Sequence, residues 1–549
     1  MKIAKFIFSS LTNPERSTFI AAFTIFFVAI IVKVAVVVDT NSIFVPVEGG
    51  YYCEGIIGQP TAINPIISDN LVDQILSSVV YANLGALTSG LSIEDEGNIY
   101  IVKLKEDLKW SDGHPLTSDD IVFTIKTIQS PEIRSPFYKT WKGVIIERIS
   151  EYQVKFTLPG PYIFFEENIN NLPVIPRHIF GDIPVSNIRL SLFNLKPVSS
   201  GPYSFKDFSK KRSGFITEYH FEANKYFSGE GPYIQDFYFK FYERYAELLN
   251  DFRVRNVDGF GTAGFPDQRI YDLTKAEVEK VSTPGYYAVF FNPKATSVLK
   301  KEKFREALSI AVDREKLVKE VLKSEAEPFS KLTDLIKNEV ILPFSDEKLG
   351  GDSITLRKEQ AREIISEIKE DYQEELVIEI IIPEVGFIKE TAEFLEKEWE
   401  SVGIDDVKIV SLKNGDFMNV VVRERNYEAV IFGNVLEHHL DLFPFWHSSE
   451  RFYPGLNLAF YSNNKVDTAL EDICQTETSE ERTSRFQQAA EIIEESSPAV
   501  FLFNMPYTYT HQERLYGFEP PERFITPGDH FKNVTDWYVT RARVMKNEE

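Results

Sequence analysis

Residues 104–125 read LKEDLKWSDGHPLTSDDIVFTI, and this stretch decides how the rest of the chain is read. Apolar and charged positions alternate through Leu104, Glu106 and Leu108, as in a half-buried strand. Ser111, Asp112 and Gly113 then supply turn chemistry, and Pro115 forbids the ladder from continuing. Thr117 with Asp120 three positions on forms a capping-box pattern with a short acid in place of the usual Glu. Ile121, Val122, Ile125 and Ile128 follow on one helical stripe. The expected order is strand, turn, capped helix.

The wording carries more than the pattern. It resembles the signature L-R-x-x-V-x-F-x-D-G-x-P-L-T-A-x-D-V of the family 5 extracytoplasmic solute-binding proteins, which deliver peptides, nickel and some sugars to ABC importers. Other stretches are similar to family elements and occur in the family's order. EGIIGQPTAINPI (54–66) resembles the opening strand and its P-x-x-L-N-P, with Ile63, Asn64 and Pro65 in the last three places. Residues 73–84 read as the helix that follows. VSSGPYSF (198–205), FEANKYF (221–227) and VRNVDGF (254–260) match further short elements. In KFREALSIAVDREKLVKEVL (303–322), Arg305, Ala307, Leu308, Ala311, Asp313 and Arg314 match in place. Phe304, Ala307, Leu308 and Ala311 make an apolar helix face, and Asp313 is the expected N-cap of the next helix. NYEAVIFGNVLEHHLDLFPFWHSS (426–449), GLNLAFYSNNKVDTAL (455–470) and SSPAVFLFN (496–504) complete the likeness, which runs from about 51 to about 515.

Bulk properties agree with a large globular protein. At 549 residues the chain calls for two or three lobes. A hydrophobic share of 43% with 26% charged residues excludes a disordered chain. The 44 Phe and 25 Tyr read first as aromatic cores, second as an aromatic-lined ligand cavity. A net charge of −23 argues against a nucleic-acid partner, which needs a basic footprint. Two cysteines, Cys53 and Cys474, cannot build a disulfide scaffold or a four-cysteine zinc site, and both are read as isolated residues.

Residues 18–38, TFIAAFTIFFVAIIVKVAVVV, are long and apolar enough to span a bilayer, with Lys33 near the far end placed to snorkel. Lys2, Lys5 and Arg16 precede the run and Asp39 follows it. The positive-inside rule then leaves the N-terminus in the cytoplasm and the folded part outside. A cleaved signal peptide is the competing reading, though no small-x-small site follows the run. Cys53 sits in GYYC, which lacks the small residues of a lipobox. Between 355 and 412, Lys- and Glu-rich amphipathic helices alternate with the buried strands LVIEIIIP and VKIVSL, an α/β pattern with Gly403 as a helix stop.

The resemblance implies an α/β fold of periplasmic-binding-protein type II, two lobes joined by crossover strands, with an extra α+β subdomain on the first. The expected boundaries are a cytoplasmic 1–17, a transmembrane anchor at 18–38, a linker at 39–50, a first lobe at 51–285 with its subdomain at about 70–195, a second lobe at 286–498, and a return to the first over 499–549. The crossovers are expected near 286–291 and 499–503.

No enzyme is expected and no cofactor. There is no G-x-x-x-x-G-K-[ST] and no G-x-S-x-G. His438 and His439 with Glu437, Asp441 and His447 form a histidine-rich stretch without the H-E-x-x-H spacing, so a transition metal enters only as a lesser cargo reading and no metal site is assigned. In peptide-carrying relatives an acid in the G-W-x-x-D-Y-x-D-P segment anchors the peptide's amino terminus. That segment falls at Gly433 onward. Here Asn434 stands for the Trp, Glu437 for the acid, and Leu442 for the Pro after Asp441. The candidate ligand contacts are therefore Glu437, Asp441, Trp446, His447 and Asn434, with Tyr51, Glu54 and Asn64 at the first-lobe mouth. The expected function is capture of a solute, foremost an oligopeptide, and delivery to the permease and ATPase subunits of an ABC importer from a membrane-anchored, extracytoplasmic position. A sensor of the same fold and an extracellular hydrolase are the alternatives.

Overall fold

The computed structural model describes residues 12–68, 70–263, 275–281, 283–337, 351–372, 375–438, 440–476, 478–521 and 524–545. The opening segment folds largely as its wording implies. Its strand, Ile99–Leu104, ends at Leu104 and does not continue to Leu108, because Asp107 takes a left-handed φ of 58° and turns the chain. The loop closes through Trp110 N–H to the His114 carbonyl (2.8 Å) and Leu116 N–H to the Leu108 carbonyl (2.9 Å). Asp112 holds it at two points. One carboxylate oxygen accepts from His114 N–H (3.0 Å) and the other meets His178 Nε2 at 2.8 Å, on the short helix Arg177–Phe180. The capping box forms: Thr117 N–H donates to Asp120 (2.9 Å), and the helix Ser118–Ile128 buries Ile121, Ile125 and Ile128 completely. That helix covers a four-stranded antiparallel sheet in the order Thr88–Glu94, Ile99–Leu104, Gln153–Thr157, Ile145–Ser150. This is the extra α+β subdomain.

Beside it lies a seven-stranded mixed sheet. Its order is Ala276–Val281, Tyr507–Gln512, Gly259–Ala263, Tyr51–Ile57, Asp236–Tyr242, Ile216–Ala223, Tyr203–Lys210. Tyr51–Ile57 runs parallel to both neighbours and the remaining pairs are antiparallel. The abundant aromatics pack this lobe. Tyr52, Tyr203, Tyr219, Phe221, Phe237, Phe239, Phe531 and Trp537 all join one buried cluster. Subdomain and sheet together make the first lobe.

The second lobe is a six-stranded sheet in the order Glu327–Pro328, Ala499–Asn504, Gly285–Phe291, Ala429–Val435, Val377–Pro383, Asp406–Leu412. Alternation places Val289 and Phe291 in one core with Trp399, and Ala288 and Phe290 in another with Trp446, so both faces are covered. Val377–Pro383 and Asp406–Leu412 pair in parallel across the helix Gly386–Glu400, the α/β alternation read from sequence, and Gly403 takes φ 111° where that helix stops. Asp313 caps the helix Arg314–Lys316 by accepting from Lys316 N–H at 3.0 Å.

The chain passes between the seven-stranded and the six-stranded sheet from Ala276–Val281 to Gly285–Phe291 and back from Ala499–Asn504 to Tyr507–Gln512. The two passages are laced together. Thr283 Oγ1 donates to the Met505 carbonyl (2.7 Å), and Asn504 Nδ2 donates to the carbonyls of Thr283 (2.7 Å) and Gly285 (2.6 Å). Lys280 and Glu325 pair across the same place at 2.6 Å. Ahead of the lobes, the helix Asn13–Thr40 stands off the body, and the stretch after it is not plain coil. Ser42–Pro46 pairs antiparallel with the late strand Arg541–Met545 as a separate two-stranded ribbon.

Candidate functional site between the lobes

The stretch that departs from the family's wording leaves the strand Ala429–Val435 in the middle of the second-lobe sheet. Leu436 N–H donates to the Pro284 carbonyl (2.7 Å), which pins its start beside the passage between sheets. Leu440 takes φ 58° and reverses the chain, and Asp441 then starts the helix Phe443–Trp446 by accepting Phe443 N–H at 2.9 Å. Asp441 is buried. Desolvation holds its carboxyl above the usual carboxylate range and nearby Glu437 adds to the shift, while the Phe443 hydrogen bond, His438 and Lys139 oppose it.

The facing wall comes from the first lobe, over 300 residues earlier for its first member. Lys139, on the helix Tyr138–Trp141, forms an ion pair with the buried Glu450. Glu167, on the helix Phe165–Asn170, meets His438 Nδ1 at 2.7 Å. The His438 ring stacks on Phe164, centroids 5.0 Å apart and planes within 5°, with Tyr162 edge-on at 6.3 Å. Ile163 N–H donates to the Cys474 carbonyl at 2.9 Å, a backbone bond directly between lobes. Burial, then Asp441, raises the Tyr162 phenol. Burial, then Asp441 and Glu471, pushes the half-buried Cys474 thiol up to about 12, which leaves it a poor nucleophile; Cys53 is also unpaired and is buried. Four acids, Glu167, Glu437, Asp441 and Glu450, thus gather at the seam with two basic side chains, Lys139 and His438. Such a site favours a cationic guest, above all an ammonium that can donate three hydrogen bonds to carboxylates.

The remaining expected residues lie elsewhere or are committed to internal partners. Asn434 Nδ2 (3.1 Å) and Trp446 Nε1 (3.0 Å) both donate to the Tyr286 hydroxyl inside the second-lobe core, and Trp446 is fully buried. His447 stacks on Phe443 at 4.0 Å, and its Nε2 lies 3.3 Å from Glu471. His439 lies outside the described residues. Tyr51 is exposed on the first lobe with the Arg514 guanidinium 4.8 Å over its ring. Glu54 is sealed under the first-lobe sheet, accepting from Tyr509 (2.9 Å) and lying 3.4 Å from His530 Nε2. Gly259 makes room for that group, since a Cβ there would sit 2.1 Å from the Tyr52 hydroxyl. Asn64 donates to Asn194 (3.1 Å) and accepts from Ile66 N–H (3.3 Å), which fixes a loop. So Glu437 and Asp441 stand at the seam. Lys139, Tyr162, Phe164, Glu167, Glu450 and Cys474 join them from positions no local pattern marked, because each meets its partner only through lobe packing. A cavity of about 530 Å³ opens on the second lobe, lined by Asn292, Glu379, Arg425 and Glu428 among others, and takes no wall from the first lobe.

Comparison with known proteins bears on the whole arrangement. The family model described as bacterial extracellular solute-binding proteins, family 5 Middle, matches residues 84–450. The oligopeptide-binding protein AppA of Bacillus subtilis (strain 168) is 24% identical over 539 residues, covering 90% of this chain and 93% of AppA. The glutathione-binding protein GsiB of Shigella dysenteriae is 22% identical, covering 83% and 90%. Among solved structures, AppA from Bacillus subtilis in complex with a nonapeptide superposes with a TM-score of 0.73 at 22% identity, covering 90% of this chain and 100% of that one. NikZ from Campylobacter jejuni in complex with Ni(L-His) gives 0.71 at 21%, covering 89% and 99%.

Proposed function

Since this chain belongs to the family 5 bacterial extracellular solute-binding proteins, we propose that it is a membrane-anchored receptor that closes its two lobes on an oligopeptide and hands it to the permease and ATPase subunits of an ABC importer. The observation that carries the peptide reading is the acid-rich seam with the buried Asp441 at its centre. A peptide's free amino terminus is the guest such a seam accepts, with Asp441 and Glu437 as its acceptors. Main-chain groups beyond the first residue pair with the cleft much as an added strand does, while side chains stay in wetter space.

The lobes exchange at 281–285 and 504–507 in this reading, with the first lobe before and after and the second between. Ligand drives closure only through its greater affinity for the closed arrangement. No bond is made or broken. The helix Asn13–Thr40 serves as the anchor, with the lobes on the extracytoplasmic side. Its residues 18–38 are all exposed, unlike those of a helix in the core of the folded body.

Titration calorimetry on the full chain with matched peptides tests the reading. Free-amine peptides are expected to bind at least tenfold more tightly than their N-acetylated forms, a difference of about 1.4 kcal/mol. Equal affinity for the two removes the amine anchor, and no binding of either removes the peptide.

A further inference from the structure

The ribbon of Ser42–Pro46 and Arg541–Met545 pairs with neither lobe's sheet. An isolated pair of strands is marginal in water, since it has no apolar layer to bury. Yet it exposes apolar side chains on both faces, Ile43 (46% exposed) and Val544 (38%) on one and Phe44 (52%) and Met545 (56%) on the other, beside the exposed Arg541 and Arg543. A covering layer is implied, and the preceding helix says which. Residues 18–38, at about 1.5 Å each, span about 30 Å, the thickness of a hydrocarbon core. The ribbon begins four residues later, within a headgroup layer that is about 5–7 Å deep on each side.

The ribbon is also tied to the helix end. Arg543 pairs with Asp39 in the last helical turn, and its Nε donates to Ser42 Oγ at 2.6 Å. The guanidinium groups of Arg541 and Arg543 lie 4.2 and 5.6 Å over the Phe44 ring, and Arg541 also lies 4.6 Å over Tyr516 on the body. Apolar side chains flanked by arginines and an aromatic ring are the composition of a membrane–water interface. The protein as a whole carries a net charge of −23 and is repelled by anionic headgroups, so Arg541, with Arg543 already paired to Asp39, marks where contact is favourable.

We propose that this ribbon lies in the headgroup layer of the bilayer and clamps the first lobe against the membrane surface, an inference that rests on the membrane-spanning reading of the helix. The occupant of the apolar faces is lipid. The anchor is then a fixed mount and not a loose tether, and the lobe cleft keeps one orientation to the membrane.

Spin labels on the full chain in phosphatidylcholine–phosphatidylglycerol vesicles test this. Single labels are placed at Phe44→Cys, Met545→Cys, Ile25→Cys and Leu192→Cys, all exposed positions; Leu192, 79% exposed on the first lobe, is the aqueous reference. Relative to Leu192, the labels at 44 and 545 are expected to lose accessibility to an aqueous nickel chelate and gain accessibility to oxygen, though less than the label at 25. Aqueous behaviour at 44 and 545 with a deep label at 25 overturns the ribbon's placement and leaves the anchor standing. Aqueous behaviour at 25 as well overturns both.

Discussion

Asp441 concentrates the chemistry of the seam in one side chain. Burial raises its carboxyl above the usual value of about 3.9. Between its unfolded and its folded pKa the folded state holds the proton more firmly, so the empty protein loses stability as pH rises through that window. Asp441→Asn keeps the oxygen that accepts Phe443 N–H and removes the buried charge. The empty variant is expected to melt higher than the parent at neutral pH, with the difference vanishing below about pH 4. An ammonium guest pairs with the ionised form and lowers that pKa, so parent affinity for a free-amine peptide is expected to fall as pH drops through the raised value, while the variant binds weakly throughout. Calorimetry across pH decides it: a pH-independent parent, or an unaltered variant, removes Asp441 from the anchor. Asp441 was legible from its place in a known wording. Its neighbours Lys139, Glu167 and Glu450 were not, since nothing in a surface-like Lys or Glu announces a partner 271 or 311 positions away.

At the level of elements, two laced passages join the seven-stranded sheet to the six-stranded one. Asn504 is almost fully buried and gives both its amide hydrogens to carbonyls of the other passage, at Thr283 and Gly285. Asn504→Ala strands both acceptors and is expected to cost about 1–3 kcal/mol in urea unfolding. Under the proposed closure it is also expected to shift apparent peptide affinity, since the lobes would turn at this joint. A variant as stable as the parent, with unchanged affinity, would show that the lacing holds nothing. The signature helix illustrates how local physics reads well: Thr117 and Asp120 cap it as their spacing implies. The strand before it reads less well. Alternation alone extended it to Leu108, but a left-handed Asp107 ended it at Leu104, and such a backbone choice leaves hardly any trace in hydrophobic period.

Across the whole molecule, the lobes meet among the described residues through the backbone bond from Ile163 N–H to the Cys474 carbonyl, beside the Lys139–Glu450 and Glu167–His438 pairs, with Lys280–Glu325 at the passages between sheets. A peptide that favours closure is expected to slow hydrogen exchange at the Ile163 amide much more than at Ile125 in the subdomain helix, which reports folding and not closure. Equal slowing at both sites would mean general stabilisation without lobe closure. By itself the sequence determined the fold and the family, because those rest on ordered local wording: caps, turns, alternating strands and a strung series of short motifs, each readable within about twenty residues. It also determined the apolar helix, whose signal is length and composition. Tertiary structure alone decided which acids face which bases across the seam. It buried Glu54 and Trp446 among internal partners and paired Ser42–Pro46, within the expected linker, with Arg541–Met545. Those outcomes depend on contacts between positions hundreds of residues apart, where one-dimensional spacing carries no information about distance.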